Sequence, residues 1–191
     1  MTQASVLDLA TAQMEVRRRQ LLAALSIVLG TVLIAISARI QFPIPGSTVP
    51  FTMQTVTVIL LGMALGPRLG ALTALLYLVE CVAVPGLSAT GRVALTGGYL
   101  VGFVAAAWCA GALFRRGLGR SLGRSLVAMT AANLVIFLFG VPWLAASIGW
   151  EAAWQQGFVA FLVVEAAKIA ACTPMMRGVS AFAGAMERRL G

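Results

Sequence analysis

The chain has 191 residues, 60% of them hydrophobic and 10% charged, with a mean hydropathy of +0.95. A soluble domain is about 45–50% apolar and about 25% charged, so this chain has too little polar surface for a water-soluble fold, and disorder, collagen and small disulfide scaffolds are excluded too. The net charge is +8 with no His, which argues against a His-ligated metal or a histidine proton relay; in an integral membrane chain the surplus reflects topology before nucleic acid.

Six apolar runs follow one another: Leu21 to Ile40, Phe51 to Gly66, Leu69 to Val84, Gly97 to Phe114, Leu126 to Val141 and Gly157 to Met176. A spanning helix needs about 20 apolar residues, and a β-barrel would show alternating segments of about ten. The pattern predicts an all-α integral membrane protein, a six-transmembrane-helix bundle in one domain, with 1–20 as a cytoplasmic N-terminal segment. The first run follows Arg17, Arg18 and Arg19. It is longer than a signal-peptide core of about 7–15 residues, so it is read as an uncleaved helix.

With the N-terminus in the cytoplasm, inner segments carry Arg17, Arg18, Arg19, Arg68, Arg115, Arg116, Arg120, Arg124, Arg177, Arg188 and Arg189. Outer segments carry only Arg39 and Arg92. That asymmetry places both termini inside. The stretch RRGLGRSLGR (Arg115 to Arg124) is read as a charge anchor between two three-helix halves, with anionic-lipid binding as the minor reading.

Small residues recur at four-residue spacing at Gly98, Gly102, Ala106 and Ala110, and at Ser26 and Gly30. Such stripes let helices approach closely. They are expected to pack within the chain, or, for Ser26 and Gly30, to dock a partner membrane subunit. Cys81, Cys109 and Cys172 lie inside apolar runs and are read as small buried hydrophobes, not as disulfide or zinc ligands.

Glu165 and Lys168 carry the most information. They fall near the middle of the last run, on one helix face at spacing i, i+3. Each charge at that depth costs about 2.5–3.5 kcal/mol, which pairing relieves in part. Either the pair locks the bundle or it lines a protected cavity. Gln54, Tyr77, Glu80 and Tyr99 lie toward the outer ends of their helices, and Asn133 lies near the middle of its own. The inner halves are almost purely aliphatic. A cavity open to the outside and closed toward the cytoplasm is therefore expected. Trp143, Trp150 and Trp154 flank the outer face and are read mainly as interfacial belt residues, with the cavity mouth as a second reading for Trp143. Two connections look structured: QFPIPGSTVP (Gln41 to Pro50) and PGLSATGRVALT (Pro85 to Thr96). Either can fold over a pocket, because non-helical backbone at membrane depth is tolerated only where it lines a cavity.

No phosphate-cradling P-loop, HExxH, GxSxG or Cys/His cluster is present, so no ATPase or metalloenzyme motif is visible. No cofactor and no metal are expected, and no nucleic-acid partner. Energy for active transport has to come from another chain or an ion gradient.

The stretches VPFTMQ (Val49 to Gln54), LGPRLGAL (Leu65 to Leu72), TGGYLVGF (Thr96 to Phe103) and GVPWLA (Gly140 to Ala145), followed by a late acidic residue with Lys three further on, resemble the BioY family. These are the biotin-specific S components of energy-coupling factor (ECF) transporters. The resemblance runs from about Arg39 to Lys168. Glu165 stands where the family usually has Asp, Ala94-Leu95-Thr96 where it has Gly-Pro-Thr, and Pro85-Gly86-Leu87 where it has Pro-Val-Phe.

The resemblance implies a six-helix protein of the bacterial cytoplasmic membrane that captures biotin from outside. A T component and two ATPase subunits would drive uptake. Chemically, Glu165 would accept the ureido N–H groups of biotin and Lys168 would donate to its carbonyl. Asn133 would add a bond, Tyr99 would cover the rings, and Arg92 would meet the valerate carboxylate. Gln54, Glu80, Gly91, Gly98 and Trp143 complete the candidate lining. Membrane lipid is the other expected partner, and a homo-oligomer is left open. The alternatives are an S component for another small vitamin, a non-transporting structural membrane protein, and, behind these, a membrane enzyme.

Overall fold

The protein, seen in a computed structural model, is described here at residues 6–84, 86–88 and 93–190. α1 (Val6–Arg39) carries the first apolar run. A short antiparallel ribbon follows, β1 (Gln41–Phe42) against β2 (Phe51–Thr52), with Gln41 opposite Thr52. Next come α2 (Gln54–Ala83), α3 (Val93–Leu113) and a π-turn at Phe114–Leu118. α4 (Leu122–Ile148), α5 (Trp150–Gly157), α6 (Leu162–Cys172) and α7 (Met176–Leu190) complete the order, with 3-10 turns at Val159–Phe161 and Thr173–Met175.

The second and third apolar runs both lie in α2, but α2 is not one rod. Gly66 has φ +82° and ψ 173°, and Pro67 follows it. Only glycine takes that conformation without strain. The Gln54 side-chain amide donates to the Tyr77 hydroxyl at 2.9 Å. Along a straight helix these two residues would stand about 35 Å apart. The chain therefore reverses at Gly66, and arms 54–65 and 67–83 run antiparallel. Five segments are long and apolar enough to cross a membrane; the reversal turns the second into two passes, making the six-helix bundle expected from the sequence.

The first arm is only about 18 Å long, against a hydrocarbon core of about 30 Å. The ribbon and its loop complete that pass. Ser47 ties the loop down, its hydroxyl bonded to the Gln156 carbonyl at 2.7 Å.

α3 sits between α2 and α4 and meets both through small residues. A Cβ on Gly62 would collide with the Ala107 backbone, and one on Gly111 would lie 2.6 Å from the Gly62 carbonyl oxygen. On the other flank Gly98 faces Trp143 and the Phe139 carbonyl, and Gly102 faces the Ile136 carbonyl. In lipid no hydrophobic force pulls helices together, so this close backbone approach is the source of the cohesion. The Gly98 stripe thus packs within the chain, as expected. Gly30 does too: a Cβ there would lie 2.5 Å from the Thr73 methyl. That corrects its reading as a docking position, since the slot is already filled. Ser26 is half-buried and bonds its own helix at the Leu22 carbonyl.

Four features depart from the sequence reading. The last run is not one helix; the chain leaves helical space at Phe158 (φ −126°, ψ −63°), and α6 starts afresh at Leu162. α5 and α7 carry too many polar residues to register as apolar runs. The ribbon is two residues per strand, below any periodic signal.

Gly62→Leu tests the close approach. It should destabilise the bundle by about 1–3 kcal/mol through overpacking, lowering the melting temperature in detergent, while Gly123→Leu, whose Cβ would meet open space, should leave it within a degree or two.

Candidate functional site: an ion pair beside a membrane-depth cavity

Glu165 lies in the first turn of α6, where the positive end of the helix dipole favours a carboxylate. Lys168 follows one turn later, and its Nζ sits 2.5 Å from Glu165 Oε1. Both residues are buried, at 4% and 6% exposure. A bare pair at that depth would be costly, so its remaining hydrogen-bonding capacity has to be met. The ammonium has three protons and three acceptors: Glu165, the Thr55 hydroxyl, and the Thr52 carbonyl at 2.9 Å. The Phe51 ring centroid lies 4.5 Å away and adds a cation–π contact. Thr55 in turn donates to Glu165 Oε2 at 3.2 Å. One side chain on α6 therefore ties down the end of β2 and the start of α2.

Beside this pair is a cavity with about 560 Å³ of empty space, its open mouth included. Glu165, Gln54, Thr55 and Tyr99 contribute its polar atoms from the helices, and Phe103, Ile136, Phe137 and Phe161 wall it. Val49, Pro50 and Thr52 of the first connection and Ser88 and Thr96 of the second also line it. Both connections that looked structured in the sequence thus reach the cavity. The Tyr99 hydroxyl donates to the Gly157 carbonyl at 3.0 Å. This holds the broken last helix against α3.

The other expected residues divide. Asn133 is buried beside Glu165, outside the cavity lining, with its Oδ1 unpartnered among the described residues. Glu80 is half-buried and does not reach the cavity. Gly98 is packing, covered by Trp143. Trp143 is 47% exposed and donates to the Ala94 carbonyl at 2.9 Å, so it fastens α4 to the start of α3 and is no part of the mouth. Gly91 and Arg92 lie outside the described residues. Sequence reasoning missed Thr55, which joins the pair, and Phe51 and Thr52, which meet the ammonium. It also missed Phe137 and Phe161. The VPFTMQ stretch pointed to the right segment. A threonine inside an apolar run carries no signal of its own.

Phe137 has a further role in the wall. It contacts Tyr99, Phe158 and Phe161 edge-on, at centroid distances of 6.3, 5.2 and 6.2 Å. It also lines a shallow outer groove with Trp150 and Trp154. One ring therefore separates the cavity from the membrane-facing surface.

The BioY family profile matches residues 9–185. The chain belongs to the BioY family. Its BioY relatives include a protein of Pyrococcus horikoshii described as "Probable biotin transporter BioY", 35% identical over 140 residues, covering 70% of this chain and 82% of that protein. A Lysinibacillus sphaericus protein of the same description is 30% identical over 162 residues, covering 78% of this chain and 82% of that one. The fold matches the crystal structure of the S-component for biotin from an ECF-type ABC transporter, with a TM-score of 0.72 at 18% identity, over 85% of this chain and 92% of that one. The bundle is thus the ECF S-component fold of a multi-pass BioY membrane protein.

Thr55→Val removes the hydroxyl shared by ammonium and carboxylate. It should cost about 1–3 kcal/mol, read as a lower melting temperature, with Thr55→Ser restoring most of it.

Proposed function

We propose that this chain captures biotin from the outer side of the cytoplasmic membrane, as the substrate-binding subunit of an ECF transporter. It would have no ATPase of its own; a T component and two ATPase subunits would supply the energy. BioY membership and the names of the relatives support this reading. The observation that carries it is the buried Glu165 carboxylate lining an otherwise mostly apolar cavity.

Biotin carries a fused ureido–thiophane bicycle and a valerate tail. Glu165 is suited to accept ureido N–H groups, and charge-assisted bonds of this kind contribute about 1.5–3 kcal/mol each. Lys168 has its three protons engaged by the protein. Its role in this reading is to hold Glu165 charged and oriented, not to meet the ligand directly. Gln54 lines the cavity and spends one amide N–H on Tyr77; the other is available for the ureido carbonyl. The bicycle would lie against Tyr99, Phe137 and Phe161. The tail would leave between the two connections that line the mouth.

Titration calorimetry with biotin on the purified full chain tests this. Glu165→Ala and Lys168→Ala should each weaken binding tenfold or more, and Phe137→Ala should weaken it by losing the wall. Glu165→Met/Lys168→Met separates a binding role from a purely structural one. Replacing a buried pair by apolar side chains is often neutral for stability, so the expected result is an unchanged melting temperature with biotin binding lost. Unchanged binding in that variant would reject the assignment.

A further inference from the structure

At the end of the bundle opposite the cavity, the π-turn, Gly119 and Arg120 after it, and α7 line an open cleft of about 810 Å³. Arg115 and Arg120 line it together with Ser180. An adjoining recess of about 730 Å³ shares Arg120 and Ser180 and reaches Ser121 and the fully buried Ser125. We propose that this cleft is a binding site for the phosphate headgroup of an anionic phospholipid of the cytoplasmic leaflet.

Three observations point there. The first is charge without compensation. Arg115, Arg116, Arg120 and Arg124 fall within ten residues, and that stretch has no acidic residue. No carboxylate lies within 4 Å of any of them among the described residues; the ion pairs there are Arg19–Glu15 and Lys168–Glu165. Topology alone needs positive charge on this side, but it does not need two of those four arginines to line one cleft, as Arg115 and Arg120 do.

The second is position along α4. The helix has no acidic residue in its first turn. Arg120 instead precedes the Ser121 cap and Arg124 falls in the first turn. Cations at this end oppose the helix dipole. A bound anion between them reverses the sign of that interaction. The Ser121 hydroxyl is taken by the Arg124 amide at 3.4 Å, so a phosphate would be held mainly by guanidinium groups.

The third is rigidity. The Arg115 guanidinium is packed against the Gly66 reversal, where a Cβ would lie 2.6 Å from it. The π-turn carries Gly117 at φ +90° and brings Arg120 round to the same cleft as Arg115. Guanidinium forks held this way suit phosphate oxygens. The cleft lies at the cytoplasmic end of the bundle, where anionic headgroups are found.

The test uses the full chain purified in a neutral detergent, with unfolding followed by tryptophan fluorescence. Dioleoylphosphatidylglycerol should raise the melting temperature by about 5 °C or more relative to dioleoylphosphatidylcholine, as mass action requires of a ligand selective for the folded state. Arg120→Gln/Arg124→Gln should abolish the difference. Arg17→Gln/Arg18→Gln, which removes equal charge elsewhere on the same side, should keep it. Ser180→Phe fills the cleft without changing charge and should also abolish the difference, so the proposal stays testable if the double variant folds poorly. Equal stabilisation by the two lipids would overturn the site. So would an equal loss in the Arg17/Arg18 control, which would mean diffuse attraction, or an equal rise with inorganic phosphate, which would mean a free-anion site and no lipid.

Discussion

An ammonium group in a place without water needs acceptors for all three of its protons. Much of the upper half of this protein follows from that need. Lys168 finds its acceptors on three different segments: the carboxylate on its own helix, a hydroxyl on α2 and a main-chain carbonyl on β2. A carbonyl free to point sideways exists only where the backbone has left the helix. The ribbon therefore solves a hydrogen-bonding problem, and it also supplies cavity wall. The break at Phe158 allows the complementary arrangement on the other side, because α6 begins there and sets Glu165 in its first turn. Broken helices whose ends converge at membrane depth are a recurring way for transporters to build polar sites.

The packing of α3 answers a different need. With lipid as the competing environment, adhesion rests on backbone-to-backbone approach. α3 is built for this, with glycine and alanine toward α2 on one flank and glycine toward α4 on the other. The glycine contacts leave no room for a side chain.

How much of this was legible in the sequence depended on the length scale of each signal. Six passes were legible because each extends over many apolar residues, and the arginines marked one end. The Glu165–Lys168 pair was legible because two charges stand alone in twenty apolar residues. The partners of the pair were not. Thr55 and Thr52 look like ordinary residues of an apolar stretch, and only the reversal at Gly66 and the ribbon bring them to α6. Glu80 and Trp143 were assigned to the cavity by depth. Depth alone does not say which way a side chain turns about its helix, and both turn elsewhere. Gly30 looked like an open slot because nothing in the sequence says that Thr73 fills it. Asn133 was expected near the middle of its helix, and its oxygen, unpaired among the described residues and beside the carboxylate, could not have been read before folding.

The ribbon that roofs the cavity is pinned at two places, by Ser47 to the Gln156 carbonyl and by the Thr52 carbonyl to Lys168. With both pins closed the first connection is held in place, and the opening is bounded by Val49 and Pro50 on one side and Ser88 and Thr96 on the other. The two hydrogen bonds therefore do a second service: by fixing the frame of the mouth they set the largest cross-section that can pass it without moving the backbone.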